Sequence, residues 1–270
     1  MPLPSSLPEL TFEDYRLRFA EYFDMHRENG VIEVRMHTTG HEAQWSLGLH
    51  RAISQMLRAV AGDRENGVLI LTGTGDHWIH GLDVESFATI ESDDEVFKRE
   101  SYHYWYRDGM NMLEALVSAV DIPTIGAMNG PGLHVELGLL CDITLCTPEA
   151  RFFDPHLTVG LAPGDGLFLV LQELLGVKRA TYTMHMVERI DAVRALEWGM
   201  VNEIVPLDRL LERAHVIANS IMQQDDIVRR ITTQIVRRRW RRLFADEFGF
   251  HMGHEMWASL VNRKLIDHGR

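Results

Sequence analysis

Short runs rich in β-branched residues recur along the front half of this chain, at residues 31–36, 68–72, 124–128 and 143–146. Between the first two, Leu49, Ile53, Met56, Leu57 and Val60 fall at helical spacing, and Met110, Leu113, Leu116, Val117 and Val120 do the same between the second and third. A strand, a helix and a second strand in that order make a parallel crossover, so the pattern predicts an α/β fold with a parallel sheet. Past Pro163-Gly164-Asp165-Gly166 the strand signal fades, and residues 167–175, 192–198, 207–222 and 227–243 read as helices. A strand-rich core over 1–205 and a helical region over 206–270 are the expected organisation. There is no repeat of fixed spacing and no low-complexity tract. The stretch 73–98 is polar and punctuated by Gly73, Gly75, Gly81 and the acidic cluster 91–95, and it reads as a mobile surface connection.

Charge narrows the partners. Asp and Glu number 39 against 27 Lys and Arg, a formal net charge of −12. Broad nucleic-acid binding and adhesion to anionic headgroups are disfavoured, and a neutral small molecule is the better first guess. The exception is the arginine run at 229–230 and 237–242, which resembles an RNA-contacting patch. The better reading is an amphipathic helix, with Ile227, Ile231, Ile235 and Trp240 near one face and the arginines solvated or facing a second subunit. The opening Met1-Pro2-Leu3-Pro4-Ser5-Ser6-Leu7-Pro8 lacks the basic start and apolar run of a signal peptide, and no stretch approaches the ~20 apolar residues that span a bilayer. A cytoplasmic protein with no membrane partner is expected. Cys141 and Cys146 would lie ~16 Å apart along a strand, too far for a disulfide, and no Cys/His pair has finger spacing.

The chemistry concentrates in residues 151–166. His156 and Asp165 are nine positions apart, and Gly160, Pro163-Gly164 and Gly166 between and beside them let the chain fold back. A carboxylate beside an imidazole fixes its tautomer and makes it a general base worth ~10²–10⁴-fold. By spacing alone, the better reading of Asp165 is the cap of the 167–175 helix, and of His156 a hydrogen-bonded core histidine.

Several motifs resemble, in order and spacing, the signature of the crotonase (enoyl-CoA hydratase/isomerase) superfamily. They are Leu71-Thr72-Gly73, His80-Gly81-Leu82-Asp83, Asn129-Gly130-Pro131, Glu136-Leu137-Gly138-Leu139-Leu140-Cys141-Asp142-Ile143, Ala150-Arg151-Phe152 with Pro155, Val159-Gly160 with Pro163-Gly164, and Ala195-Leu196-Glu197-Trp198-Gly199-Met200-Val201-Asn202. The match runs from about Val31 to Val205. The resemblance implies a spiral of ββα units with a helical C-terminal trimerisation region, assembled as a homotrimer or a dimer of trimers.

Two departures from the acyl-CoA pattern stand out. Gly132-Leu133-His134-Val135 replaces the family's glycine run after Asn-Gly, and His156 stands where hydratases keep a glutamate, while Glu136 matches their other glutamate. Both departures resemble the CoA-independent β-diketone hydrolases of the 6-oxocamphor hydrolase type, as do Trp45, Asp165 and the pair His254-Glu255. The resemblance implies a retro-Claisen hydrolase that needs neither cofactor nor metal and opens an apolar cyclic diketone to a keto acid. His156, held by Asp165, would take a proton from water, with Glu255 orienting that water. His134 and the Trp45 indole would donate to substrate carbonyl oxygens, Leu82 matches the family's first backbone N–H donor position, and Phe87 matches an aromatic pocket position. Two other functions fit the same residues: an acyl-CoA isomerase, hydratase or thioesterase that reuses Glu136 and His156, and an inert homologue that binds RNA or protein through the arginine helix.

Overall fold

The computed structural model describes residues 10–91 and 93–267. The opening segment Met1-Pro2-Leu3-Pro4-Ser5-Ser6-Leu7-Pro8 and the Ser92 position of the acidic cluster lie outside the described residues. Strands Phe23–Glu28, Val31–Thr38, Val68–Thr72, Thr124–Met128, Ile143–Cys146 and Glu203–Ile204 lie side by side in that order in one seven-stranded sheet. The first pair is antiparallel and the rest of this row is parallel; the short strand His41–Glu42 completes the sheet by pairing with the end of Val31–Thr38.

Alternation along the strands decides which layer each side chain joins. Leu69 and Leu71 enter the large core that includes the Leu47–Gly62 helix, whereas Val68 and Ile70 face the other way, onto Leu210, Ala214 and Ala218 of the Leu207–Met222 helix. Full burial of each such aliphatic side chain contributes roughly 1.5–3 kcal/mol, so both faces of the sheet hold helices firmly. The crossover between Val68–Thr72 and Thr124–Met128 ends in Ser101–Asp108, Gly109–Glu114 and Ala115–Ala119, with π-helical turns at the first and last of these.

All four sequence-read strands are present. The hairpin strand before them is an addition; its turn is Asn29-Gly30, both at positive φ, the dipeptide that a tight two-residue hairpin favours. The 73–98 stretch differs from the expected mobile connection. Gly81–Leu82 pairs with Gln44–Trp45, and Val84–Glu91 and Asp94–Glu100 are helices. Asp93 caps the second helix by accepting from the backbone of Glu95 and Val96, and Phe97 buries itself against Leu47, which outweighs the polar composition.

The arginine region corrects the expected orientation. It forms helices Asp226–Val236 and Arg238–Leu243, and Arg229 and Arg237 face inward, 4% and 1% exposed, against 61%, 54% and 69% for Ile227, Ile231 and Ile235, while Arg238, Arg239 and Arg242 stay exposed. The cause is hydrogen bonding. The Arg237 guanidinium donates to the carbonyls of Leu116, Val120 and Ile122, to Thr124 Oγ1 and to both carboxylate oxygens of Asp142; Arg229 donates to the carbonyls of Gly67 and Gln224 and to Asp226. A planar fork of five donors matches the carbonyls at the sheet's end, and apolar side chains are left outside. No helix among the described residues is long and apolar enough to cross a membrane.

Candidate active site

The site lies past the carboxyl ends of Thr124–Met128 and Ile143–Cys146, where open parallel sheets place their ligands. His134 sits in the left-handed region at φ 50, just ahead of the short helix Glu136–Leu139, and its carbonyl accepts the Trp78 indole N–H at 3.1 Å. That helix can reach the sheet because Gly126 is bare: a Cβ there would stand 2.7 Å from the Gly138 carbonyl. His156 opens the 3₁₀ turn His156–Val159. Gly164 admits the C-terminal helix Gly249–Asp267, since a Cβ there would meet the His251 carbonyl at 2.3 Å and Glu255 Cβ at 2.6 Å. Glu255 thereby reaches in from the far end of the chain and accepts from the Gly164 N–H at 3.2 Å.

These segments bring His134, His156, Asp165 and Glu255 into one partly buried cluster. His134 Nδ1 lies 2.8 Å from Glu136 Oε1 and 3.6 Å from Asp165 Oδ2. His156 Nε2 lies 3.8 Å from Asp165 Oδ2 and 3.7 Å from Glu255 Oε1, separations that a bridging water or a substrate oxygen spans better than a direct bond does. The carboxylate that holds His156 Nδ1 is Asp154, at 2.6 Å, and the same Asp154 oxygen accepts the His156 backbone N–H at 2.9 Å. Asp165, expected to hold that imidazole, instead faces its other nitrogen and accepts weakly from the Leu167 N–H at the start of the Leu167–Leu175 helix. The sequence signal for Asp154 is an acid two residues ahead of the histidine in Asp-Pro-His, a spacing that the family motifs do not single out.

Trp45 is buried and stacks face to face on the His134 imidazole, with ring centroids 3.5 Å apart, and has the buried His50 ring 5.0 Å away. Leu82 is the register partner of Trp45 and keeps its side chain about half exposed. Phe87, on the Val84–Glu91 helix, packs against Leu47 and Phe97. Neither hydrogen-bonds or stacks within the histidine cluster.

Burial and like charges set the protonation. Burial pushes His134 down to about 4, with Asp165 opposing, and pushes His50 down to about 3, so both imidazoles are neutral near pH 7. Burial also drives Glu136 well above the ordinary carboxylate range and Glu255 up to about 8, each helped by the Asp165 charge. His156 moves the other way from His134. Burial would lower it, but Asp165, Asp154 and Glu255 together outweigh burial and raise it well above the ordinary imidazole value. Groups of the same chemical type are thus held in different protonation states within one cluster, the arrangement that assigns acids and bases in enzymes. Glu136 Oε2 and Asp154 Oδ2 are buried with no hydrogen-bond partner among the described residues. Two overlapping trios, His134 with Glu136 and Asp165, and Asp154 with His156 and Asp165, have ligand atoms within 4.8 Å of one another, a donor set that could also take a cation.

A mixed α/β fold gathers two imidazoles and four carboxyl groups past the end of its parallel sheet, the kind of constellation that enzymes use. The chain belongs to the enoyl-CoA hydratase/isomerase family, the crotonase superfamily, whose profile matches residues 26–269. It superimposes on a β-diketone hydrolase of the cyanobacterium Anabaena sp. PCC 7120, solved bound to (S)-3-oxocyclohexyl acetic acid, with a TM-score of 0.85 and 31% identity over 96% of this chain and 100% of that one. An enoyl-CoA hydratase/isomerase of Mycobacterium paratuberculosis shares the fold at a TM-score of 0.79 and 21% identity, over 88% of this chain and 93% of that one. The hydroxycinnamoyl-CoA hydratase-lyase of Pseudomonas fluorescens is 26% identical over 244 residues, 89% of this chain and 85% of that protein.

Proposed function

We propose that this protein is a retro-Claisen hydrolase that cleaves the carbon–carbon bond between the two carbonyl groups of a cyclic, apolar β-diketone to give a keto acid, without CoA or metal. The observation that carries the reading is His156: it stands at the hydratases' glutamate position, is held at Nδ1 by Asp154, and turns Nε2 toward Asp165 and Glu255. Water held between Nε2 and those two carboxyl groups loses a proton to His156, and its oxygen bonds to a substrate carbonyl carbon. The tetrahedral oxyanion collapses to a carboxylic acid as the C–C bond breaks, and the imidazolium returns its proton to the enolate carbon. Neutral His134, with Glu136 donating to Nδ1, presents Nε2–H to a carbonyl oxygen. A donor so placed contributes ~2.7–4 kcal/mol in the transition state. Trp45 fixes the plane of that imidazole by stacking and is the second candidate donor, through its indole N–H. Leu82 and Phe87 complete the proposed apolar substrate site.

The 31% identity with a β-diketone hydrolase supports this reading. The names of the sequence relatives favour a second one, acyl-CoA hydration or lysis with Glu136 as the acid–base group. Incubation with bicyclic and monocyclic β-diketones in the absence of cofactors, followed by the appearance of a carboxylic acid, separates the two. Acid formation supports the hydrolase; a flat result across the panel together with measurable CoA-thioester turnover supports the alternative. Buried Arg229 and Arg237 are committed to carbonyls and carboxylates of the fold, and Arg230 and Arg239 pair with Asp121, Asp226 and Glu173, which weighs against an RNA-binding reading.

The exposed row Ile227, Ile231 and Ile235, joined by Val228 and Val236, fits a second copy of the chain. We therefore expect a homotrimer or dimer of trimers in the cytoplasm.

A further inference from the structure

A second cluster of imidazoles and carboxylates lies outside the active site, where the loop after Val68–Thr72 meets the short strand His41–Glu42. His77 Nδ1 is 2.9 Å from Glu42 Oε1 and 2.8 Å from Asp76 Oδ1, and His80 Nδ1 is 3.4 Å from Glu42 Oε2. One ring nitrogen carries at most one proton, so it cannot donate fully to two carboxylates; two acids converging on it leave negative charge uncompensated. The rings of His77 and His80 stand edge to face with centroids 4.4 Å apart, and the ligand atoms of Glu42, His77 and His80 lie within 4.8 Å of one another. Tetrahedral ligands about 2.0–2.1 Å from a zinc ion are themselves about 3.4 Å apart, so these spacings need only small side-chain shifts. Gly75 makes the room, because a Cβ on it would meet Glu42 Oε1 at 2.9 Å and Cγ at 3.0 Å.

We propose that Glu42, His77 and His80 form a binding site for a divalent cation of the zinc class, with Asp76 or water as the fourth ligand. Two imidazoles and a carboxylate are a borderline nitrogen–oxygen set, which favours zinc over calcium or magnesium, whose partners are oxygens. The scarcity of cysteine bears only on thiolate sites. The ligands are partly exposed, which gives the ion a path from solvent.

The ion would fasten the loop that supports the active site. Trp78, between the two histidines in sequence, is fully buried; its backbone N–H donates to the Pro131 carbonyl at 3.0 Å and its indole to the His134 carbonyl at 3.1 Å. The neighbouring Ile79 carbonyl accepts the Leu133 N–H at 3.0 Å. Glu42 precedes Trp45 by three residues and His80 precedes Leu82 by two, so both lie just ahead of the short paired strands Gln44–Trp45 and Gly81–Leu82. The site is therefore a structural clamp on the segments that carry Trp45 and His134.

The test is titration of metal-stripped full-length protein with Zn²⁺ against a chromophoric competitor, with Ca²⁺ as comparator and thermal unfolding recorded alongside. One zinc equivalent is expected whose affinity falls by at least about 100-fold in the His77→Ala/His80→Ala double variant, more than loss of an outer partner costs. Glu42→Gln, nearly isosteric, should weaken the same equivalent and guards against misfolding of the double variant. His134→Ala and His156→Ala should retain it, and zinc should raise the unfolding midpoint of the wild type but not of His80→Ala. Unchanged zinc affinity in the double variant and Glu42→Gln would overturn the proposal, as would loss of the zinc equivalent in the active-site variants instead.

Discussion

Asp154 Oδ1 holds both the side chain and the backbone of His156, at 2.6 Å from Nδ1 and 2.9 Å from the amide nitrogen. One oxygen thus sets the tautomer, the ring orientation and the entry of the 3₁₀ turn. Asp154→Asn removes the charge and keeps the shape. We expect kcat to fall by ~10²–10⁴-fold with little change in folding, the range for a general base that loses its orienting carboxylate. The acid limb of kcat/KM should also move. His156 accepts a proton from water only when unprotonated, and its raised pKa places the wild-type limb above the ordinary imidazole value; loss of Asp154 lowers that limb. A pH–rate profile decides it, and a wild-type limb at or below about 6.5 would contradict the assignment.

In the proposed mechanism Glu136 acts through His134. Burial raises its carboxyl well above the ordinary carboxylate range and it lies 2.8 Å from Nδ1, which favours the proton of that contact on the glutamate and leaves Nε2 its own. A glutamine amide can donate in the same place. Glu136→Gln should retain kcat within about 10-fold, whereas Glu136→Leu, which leaves Nδ1 without its donor, should lose about 100-fold or more. The ¹⁵N shifts of His134 report the tautomer directly; an Nδ1–H tautomer in the wild type would refute this arrangement.

Glu255 carries a stability cost that grows with pH. Its folded-state pKa of about 8 exceeds the ordinary 4.5, so between those values the unfolded chain releases a proton that the folded chain retains, and stability falls as pH rises. Glutamine mimics the protonated carboxyl at every pH. The Glu255→Gln variant should therefore unfold at a higher temperature than the wild type, by a margin that widens from pH 5 to about 8 and then levels, while hydrolysis slows. Equal margins at pH 5 and pH 8 would show that Glu255 is not held protonated by its surroundings.

Ile231 and Ile235 test the assembly. Both are more than half exposed on a helix whose polar side is buried. Replacing both with Asp places charge on the proposed contact without touching the arginine network. Light scattering should then give a monomer from a wild-type trimer or hexamer; an unchanged mass for the double variant would remove this face from the interface.

The parts of this fold legible in the sequence are those governed by local period. The strand Val68–Thr72 and the helices Leu167–Leu175 and Leu207–Met222 have the sequence-read limits because apolar spacing and the Gly and Pro residues that bound them are local properties. The inverted arginine face was not legible, because periodicity shows that a helix has two faces and does not say which is buried. Arg237 is inside because distant carbonyls of Leu116, Val120 and Ile122 await its guanidinium. The site divides in the same way. His134, His156, Asp165 and Glu255 were found by motif, and the structure gathers them. The exchange of Asp154 for Asp165 at Nδ1 depends on a turn of two residues, whose direction spacing alone cannot give.

The central claim is that His156 directs water onto a ketone carbon and a carbon–carbon bond breaks. The most direct measurement is incubation of the purified chain with a bicyclic 1,3-diketone in H₂¹⁸O, free of CoA and with chelator present, followed by mass analysis of the acid formed. The account predicts a keto acid carrying one solvent ¹⁸O in its new carboxyl group, with formation abolished in His156→Ala. No acid from any diketone in the panel, together with hydration of an enoyl-CoA thioester by the same preparation, would contradict it.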